Sequence, residues 1–267
     1  MNGGAALHRH RSGQGAPLVL LHGWGMNLRV FDDLRARLAA YYAVTAIDLP
    51  GHGRSGWPTG GTSAEALALI GAAVPPQATL IGWSLGGQLA LELAVAAALG
   101  AAPPVRRLVL IATTPRFTQG GDWDHGLRES TLQRFAHALE HDAGCTLDEF
   151  IDLQARGSRN AADVRAALSA ALDEHGRATV PALRAGLALL AATDLRERSR
   201  RITIPALLVA GQHDRVVPLQ AMQALAALLP RSQLQVVPRA GHAPFLSHPK
   251  EVGAAVLGFL SSNEGET

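Results

Sequence analysis

Short apolar runs that end in glycine or polar turns alternate along the chain with segments whose apolar residues recur at helical spacing. Continuous apolar runs of this length are typical of strands buried on both faces of a sheet. We predict strands at 6–11, 17–22, 42–47, 79–83, 107–112, 205–210 and 234–237, and helices at 31–40, 63–73, 85–99 and 249–260. Strands and helices that alternate in this way predict a mostly parallel sheet with helices on both faces.

The alternation stops between residues 116 and 195, where we find no strand pattern. Helical spacing is found instead at 124–142, 146–156, 161–174 and 180–191. A helical block inserted between two parts of one sheet indicates a lid over the carboxyl edge of the strands, where open α/β sheets bind their ligands. We therefore expect a core formed by 1–115 and 196–267, and an all-helical lid formed by 116–195.

Ser84 lies between a predicted strand and a predicted helix, in the sequence Gly-Trp-Ser-Leu-Gly. In this context Gly-x-Ser-x-Gly indicates a sharp turn that holds the serine hydroxyl above the edge of the sheet. Gly82 and Gly86 fit such a turn, because side chains at these positions would block the close passage of the helix. We expect positive φ at Ser84, which is uncommon for a residue other than glycine. The motif alone also fits a loop serine at a helix start.

A serine is a weak nucleophile unless a base accepts its proton, and that base needs an orienting acid. In strand–turn–helix sites of this kind the three residues follow the chain order serine, acid, histidine. Asp214 and His242 each come soon after one of the last two predicted strands. We predict that His242 is the general base for Ser84 and that Asp214 holds its other ring nitrogen. His213 and His248 are the rival bases.

The oxyanion hole of such a site uses two backbone N–H groups, one from the residue after the nucleophile and one from a loop after an earlier strand. Leu85 supplies the first of these groups. We predict Trp24 for the second, because Gly23 and Gly25 let this loop turn its amides inward. The Trp24 side chain could also plug the site against the lid. We expect His22 to hold the loop in place and not to act as a base.

Charge and cysteine content argue against several other classes of protein. The net charge is +2, and Lys250 is the only lysine, so nothing indicates the clustered positive face of a nucleic-acid-binding protein. Cys145 is the only cysteine, which excludes an intramolecular disulfide and a thiolate metal cluster. Residues 1–15 lack the apolar run of a signal peptide, and the apolar stretch 85–102 is too interrupted to span a membrane. We expect a soluble, cytoplasmic monomer with no nucleic-acid or membrane partner.

Two further motifs fit other chemistries less well. Residues 51–56 match the dinucleotide pattern GxGxxG, but prolines flank them and no acidic residue ends a strand about twenty residues later. His137, Glu140 and His141 match the HxxEH spelling of some zinc peptidases, but no third ligand is evident. A loop and a solvated helix face are the simpler interpretations. We therefore expect no metal and no organic cofactor.

Several segments together resemble the α/β-hydrolase superfamily over nearly the whole chain. They are His22-Gly-Trp-Gly25, Asp48-Leu-Pro-Gly-His-Gly-Arg-Ser55, Gly82-Trp-Ser-Leu-Gly-Gly87, 214–218 and Gly241-His-Ala-Pro-Phe245. The chain more closely resembles the BioH family of pimeloyl-[acyl-carrier protein] methyl ester esterases. This closer resemblance also rests on Phe150-Ile-Asp-Leu-Gln154, Thr193-Asp-Leu-Arg196 and His242-Ala-Pro-Phe-Leu-Ser-His-Pro249.

The resemblance implies an α/β-hydrolase fold and hydrolysis of the methyl ester of pimeloyl-acyl carrier protein, a step of biotin synthesis. It implies the same triad of Ser84, Asp214 and His242, with Trp24 and Leu85 at the ester carbonyl. It also implies that one lid segment lines the substrate channel, and that segment consists of Phe150, Ile151, Asp152, Leu153 and Gln154. The family's lid carries arginines that meet the acidic carrier protein. By position, the candidates for this contact are Arg156, Arg159 and Arg165.

Two other kinds of function stay open at this point. A lactonase, a C–C bond hydrolase or a cofactor-free perhydrolase of the same fold would share the triad and differ in the shape of the pocket. A dehalogenase is disfavoured, because it would need a carboxylate in place of Ser84. A non-catalytic binding protein of the same fold is disfavoured as well, because all three positions of the triad are filled.

Overall fold

The computed structural model describes residues 6–262, and within this range seven strands form one sheet. The strands are β1 (Arg9–Ser12), β2 (Pro17–Leu21), β3 (Ala43–Ile47), β4 (Ala78–Trp83), β5 (Val105–Ile111), β6 (Ala206–Gly211) and β7 (Ser232–Val237). Their order across the sheet is β1-β3-β2-β4-β5-β6-β7. β1 pairs with β3 in antiparallel fashion, and the other neighbouring pairs are parallel. The mostly parallel sheet predicted from the sequence is confirmed.

Helices occupy most of the chain between the strands. They are α1 (Asp32–Leu38), α2 (Ser63–Ala73), α3 (Leu85–Ala98), α4 (Glu129–His141), α5 (Ala143–Ala155), α6 (Ala161–His175), α7 (Val180–Ala192), α8 (Arg196–Ser199), α9 (Leu219–Leu228), α10 (Pro244–Ser247) and α11 (Pro249–Ser261), with a 3-10 turn at Leu28–Phe31. None of the helices described in residues 6–262 combines the length and the apolar character needed to cross a membrane.

The side chains of β2 alternate between two apolar cores, one on each face of the sheet. Val19 and Leu21 belong to the core that includes residues of α3 and α9. Leu18 and Leu20 belong to the opposite core, which includes residues of α1 and α11. A strand covered on both faces has no polar face. This burial explains why β2 reads as a continuous apolar run in the sequence.

The four helices α4 to α7 lie between β5 and β6 in the chain, where the strand pattern stops. The loop after β2 attaches two of them to the core. Trp24 Nε1 donates a hydrogen bond to the carbonyl of Leu183 in α7 at 2.9 Å. Asn27 Nδ2 donates to the carbonyls of Ala171 and Gly176, at the end of α6, at 2.7 and 3.0 Å. Gly176 is the C-cap residue of α6, so the second Asn27 bond satisfies a carbonyl at a helix end, where intrahelical partners are missing.

The prediction of a lid helix over 124–142 is wrong at its start, because α4 begins only at Glu129. The preceding chain forms a turn instead. Leu127 donates its N–H to the Phe117 carbonyl at 2.6 Å and accepts a hydrogen bond from Gln119 N at 2.8 Å. β1 also begins later than predicted, and no helix is predicted for the stretches that form α8, α9 and α10.

Candidate active site

Ser84 sits at the junction of β4 and α3, with φ of 55° and ψ of −120°. A Cβ atom on Gly82 would contact the Gly86 carbonyl, and one on Gly86 would contact the Leu21 carbonyl, both at distances that real side chains do not adopt. The helix can therefore start this close to the sheet only with glycine at these two positions. Thr113 Oγ1 donates to the Ser84 carbonyl at 2.7 Å and fixes the turn from the neighbouring strand.

A chain of hydrogen bonds runs from Ser84 through His242 to Asp214. His242 Nε2 lies 2.9 Å from Ser84 Oγ, and His242 Nδ1 lies 2.8 Å from Asp214 Oδ2. The second carboxylate oxygen of Asp214 accepts hydrogen bonds from the backbone N–H groups of Val216 and Val217, at 2.7 and 3.0 Å. This arrangement can remove a proton from the serine hydroxyl while the carboxylate stabilises the resulting imidazolium.

The imidazole of His242 is fully buried and is held from the core side. Trp83 Nε1 donates to the His242 carbonyl at 2.8 Å, and the two rings lie 5.6 Å apart. Neither rival histidine shares this position. His213 is exposed, and the Nδ1 atom of His248 lies 2.9 Å from the hydroxyl of Ser247. The structure therefore brings together the three residues that the chain order predicted, and their catalytic roles stay predictions.

The two predicted oxyanion donors flank the serine from different elements. Leu85 is the first residue of α3, so its N–H belongs to the first turn and has no partner within the helix. The Trp24 ring is buried against the lid, where it meets Phe150 edge to face at a centroid distance of 4.9 Å. Trp24 thus forms the aromatic plug that its position also suggested. The use of its backbone N–H as a donor stays a prediction.

The lid segment that the resemblance assigns to the substrate channel divides into three parts. Phe150 packs on Trp24, and the side chain of Ile151 is buried in the core cluster on the Trp83 side of the sheet. Asp152 and Leu153 are partly exposed, and the Asp152 carboxylate pairs with an arginine of α6.

Gln154 lies beside the proposed base. Its carbonyl accepts a hydrogen bond from His242 N at 3.3 Å. Its side-chain amide is buried, and neither the oxygen nor the nitrogen has a partner among the described residues. A buried amide without partners is costly and is suited to meeting a polar group of a ligand.

The three predicted carrier-contact arginines differ in their pairing. Arg165 Nε lies 2.6 Å from Asp152 Oδ1, and both side chains are about half exposed. Arg156 and Arg159 are exposed, and neither forms an ion pair among the residues described. Arg159 donates its N–H to the carbonyl of Arg239 at 2.9 Å. The sequence did not predict this backbone contact between the lid and the turn before His242.

His22 and the glycine-rich loop 51–56 have structural roles in this part of the molecule. His22 Nε2 accepts a hydrogen bond from Leu49 N at 2.9 Å, and burial lowers the pKa of His22 to about 3. Asp48 Oδ2 accepts from Arg54 N at 3.0 Å, so this loop amide is already bonded to a carboxylate. His22 therefore holds the loop as predicted, and nothing in loop 51–56 points to a phosphate.

A mostly apolar cavity lies beside the first turn of α3, between this helix, α2 and the lid helix α7. Leu85 and Leu89 line it from α3, and Ala182 and Gly186 line it from α7. Leu85 thereby connects the proposed oxyanion hole with an apolar space under the lid. Apolar walls of this kind suit the methylene chain or the alkyl group of an ester.

Known proteins resemble this chain over almost its whole length. The model of the alpha/beta hydrolase family matches residues 18–255. A pimeloyl-[acyl-carrier protein] methyl ester esterase from Stenotrophomonas maltophilia is 42% identical over 96% of this chain and 97% of its own length. One from Xanthomonas campestris is 39% identical over 96% of this chain and 99% of its own length. An esterase structure from Exiguobacterium antarcticum superposes with a TM-score of 0.85 at 24% identity, covering 97% of each chain. The chain therefore belongs to the alpha/beta hydrolase family.

Proposed function

We propose that the protein is a serine carboxylesterase that hydrolyses the methyl ester of pimeloyl-acyl carrier protein. The products are pimeloyl-acyl carrier protein and methanol, and the reaction belongs to biotin synthesis. The substrate assignment is supported by relatives of this name that are about 40% identical over 96% of the chain. The single structural observation that carries the chemistry is the unbroken hydrogen-bond chain between Ser84, His242 and Asp214.

In the first half of the reaction, Ser84 Oγ attacks the carbonyl carbon of the methyl ester. His242 Nε2 accepts the serine proton, and Asp214 stabilises the imidazolium that forms. The negative charge that develops on the carbonyl oxygen is met by the N–H groups of Leu85 and Trp24, each of which contributes roughly 3 kcal/mol of transition-state stabilisation. His242 then gives its proton to the leaving oxygen, and methanol departs from an acyl-enzyme.

In the second half, water replaces methanol and His242 acts as the base again. Attack of the activated water on the acyl-enzyme regenerates the Ser84 hydroxyl and releases the free carboxylate. The thioester that joins the pimeloyl chain to the carrier lies at the other end of the chain, away from the reacting carbon. The position of the methyl ester at Ser84 therefore decides which of the two acyl bonds is cleaved.

The lid supplies the contacts that would distinguish a carrier-bound chain from a small ester. Phe150 and Trp24 form an apolar wall, and the unpartnered amide of Gln154 offers hydrogen bonds to a polar group of the substrate. Arg156 and Arg159, which have no acidic partner among the described residues, are available to an acidic carrier protein. Charge complementarity of this kind contributes to partner choice and to the association rate.

Hydrolysis of a short p-nitrophenyl ester separates an enzyme from a binding protein of the same fold. We expect measurable turnover that Ser84→Ala abolishes. Ser199→Ala is a matched control, because Ser199 is also buried and its hydroxyl has no partner among the described residues. If wild type and Ser84→Ala were equally inert, the esterase assignment would be wrong.

Growth without biotin tests the physiological substrate. We expect the protein to restore growth of a bacterial strain that lacks its own pimeloyl methyl esterase, and Ser84→Ala to fail. If the wild-type protein is expressed and active on the p-nitrophenyl ester but does not restore growth, the carrier-protein assignment fails while the esterase assignment stands.

A further inference from the structure

Two histidines and one aspartate from three separate parts of the chain converge at the sheet edge beside the lid. His8 precedes β1, Asp48 follows β3, and His175 is the last residue of α6. One ligand atom from each lies within 4.8 Å of the other two. Asp48 and His175 are buried, and His8 is partly exposed. Neither the proposed hydrolysis nor the sequence motifs assign a role to this trio, which we call the His8–Asp48–His175 cluster.

The geometry of the cluster is close to that of a tetrahedral metal site. Around a zinc ion with ligands at about 2.0–2.2 Å, neighbouring ligand atoms are about 3.3 Å apart, and two ligating imidazoles have centroids about 5.2 Å apart. Here the His8 and His175 rings lie 5.1 Å apart at 53°, and His175 Nε2 lies 2.8 Å from Asp48 Oδ2. An ion would need a small opening of the His175–Asp48 pair and an approach of the His8 ring, whose ligand atom lies within 4.8 Å of the other two.

The carboxylate of Asp48 is already oriented in the manner of a metal ligand. Its Oδ1 accepts a hydrogen bond from Leu28 N at 2.8 Å, and its Oδ2 accepts one from Arg54 N at 3.0 Å. Backbone donors of this kind fix ligating carboxylates in known metal sites. Burial also lowers the pKa values of the nearby His22 and His52 to about 3 and about 4. Both rings are neutral at pH 7 and add no positive charge beside the site.

We propose that the His8–Asp48–His175 cluster binds one divalent transition-metal ion of the zinc class. Its ligands are one nitrogen from each imidazole and Asp48 Oδ2, with water in the fourth position on the partly exposed side of His8. The ion takes the place of the proton between His175 and Asp48, and the His175 ring carries its proton on Nδ1. Binding joins the N-terminal segment, the end of β3 and the lid helix α6, so it stabilises the attachment of the lid to the core.

Metal titration of the whole purified protein tests this site without reference to its activity. Zn²⁺ binding is measured by calorimetry, and Co²⁺ supplies visible absorption bands that report a tetrahedral site. We expect one equivalent to bind the wild-type protein and to raise its Tm, because the ion binds the folded state. His8→Ala and His8→Gln should each weaken binding roughly tenfold or more. Loss of a residue that only hydrogen-bonds to a metal ligand already lowers metal affinity by that much.

The exposed histidine pair of α4 provides the control for adventitious binding. His137 and His141 lie one turn apart, with ring centroids 4.6 Å apart, and could chelate metal on their own. The double variant His137→Ala/His141→Ala should bind one equivalent as tightly as wild type. The proposal is overturned if wild type binds no metal, if both folded His8 variants bind as tightly as wild type, or if binding disappears with the α4 pair.

Discussion

The catalytic edge of the sheet and the lid above it are held in place by different kinds of contact. At the edge, core elements bond directly to the backbone of the proposed catalytic residues, as Thr113 does to Ser84 and Trp83 to His242. The lid is attached by polar contacts at the carboxyl end of α6 and in α7, including the bonds from Asn27 and Trp24. Apolar packing supplies much of the rest.

This difference suggests two roles: the core contacts hold the proposed catalytic residues, and the lid controls how a substrate reaches them. Ser84 is 3% exposed and His242 is fully buried, so a substrate reaches the serine only after some of the surrounding side chains move. The hydrogen-bond chain needs no such movement, because its partners belong to the core. Substitutions at the edge should therefore change kcat at nearly constant stability, whereas substitutions at the lid attachments should change stability and substrate entry.

The largest expected effect comes from substituting Asp214, at the catalytic edge of the sheet. Asp214→Asn should lower kcat on a p-nitrophenyl ester roughly ten-thousand-fold, because an amide does not stabilise the imidazolium and favours the wrong tautomer of His242. Steady-state kinetics measures the loss, and Asp173→Asn on the exposed surface of α6 is the control. A loss of less than tenfold would mean that Asp214 does not orient the base.

A second effect concerns buried histidines beneath the lid. Burial depresses the pKa values of His22 and His52 from 6.5 to about 3 and about 4, so protonation favours the unfolded state. Their contribution to stability is fully present above pH 6.5 and is lost as the pH falls toward those values. At pH 5 the unfolding free energy should be about 2 kcal/mol lower for each histidine than at pH 8.

Urea unfolding of wild type and of His22→Gln at the two pH values checks this expectation. Glutamine can still accept the hydrogen bond from Leu49 N and does not titrate. The fall in stability from pH 8 to pH 5 should be smaller in the variant by about 2 kcal/mol. An equal fall in both proteins would show that His22 is not buried in its neutral form.

The attachment of α6 should give a smaller effect on stability. Asn27→Ala removes the hydrogen bonds to the carbonyls of Ala171 and Gly176 and the bond from Arg29 N to Asn27 Oδ1, and the loss of each hydrogen bond costs about 0.5–1.5 kcal/mol. We expect a lower Tm, with KM for a carrier-bound substrate changed more than kcat. Asn160→Ala at the other end of α6 is a suitable control, because Asn160 makes no side-chain cap bond. Equal destabilisation by both substitutions would contradict the role assigned to Asn27.

The smallest expected effect is electrostatic. The double substitution Arg156→Glu/Arg159→Glu should lower kcat/KM for carrier-bound substrate roughly tenfold and leave hydrolysis of a small ester unchanged. Arg201→Glu, near the amino end of β6, serves as the control. The difference between wild type and the double variant should shrink at high salt. A similar loss of kcat/KM on both substrates would mean that these arginines support hydrolysis in general and do not recognise the carrier protein.

Much of the edge could be predicted from the sequence, because its residues are tied to local patterns. The glycines around Ser84 indicate the sharp turn that gives this residue a positive φ. Asp214 and His242 each come soon after a strand, and both strands end at the same edge of the sheet. The signal for α9 was also present, since Pro218 precedes a run of strong helix formers. The helix start at 124 failed because bonds between Leu127 and Phe117 compete with the helix, and composition does not reveal them.

The contacts between lid and core could not be predicted in the same way. The meeting of Asp48 with His175 joins residues 127 positions apart, and it depends on how α6 docks against the core. The unpartnered amide of Gln154 likewise follows from docking, since nothing in its neighbouring sequence sets it apart. Local patterns give the position of a residue within its element, and docking decides what that residue meets.

The measurement closest to the central claim is the direct conversion of methyl-pimeloyl carrier protein, followed by intact-protein mass spectrometry. The wild-type protein should remove the mass of one CH₂ group and leave the thioester to the carrier intact, and Ser84→Ala should leave the substrate unchanged. A wild-type protein that hydrolyses small esters but leaves the carrier-bound methyl ester untouched, or that cleaves the thioester instead, would contradict the proposed function.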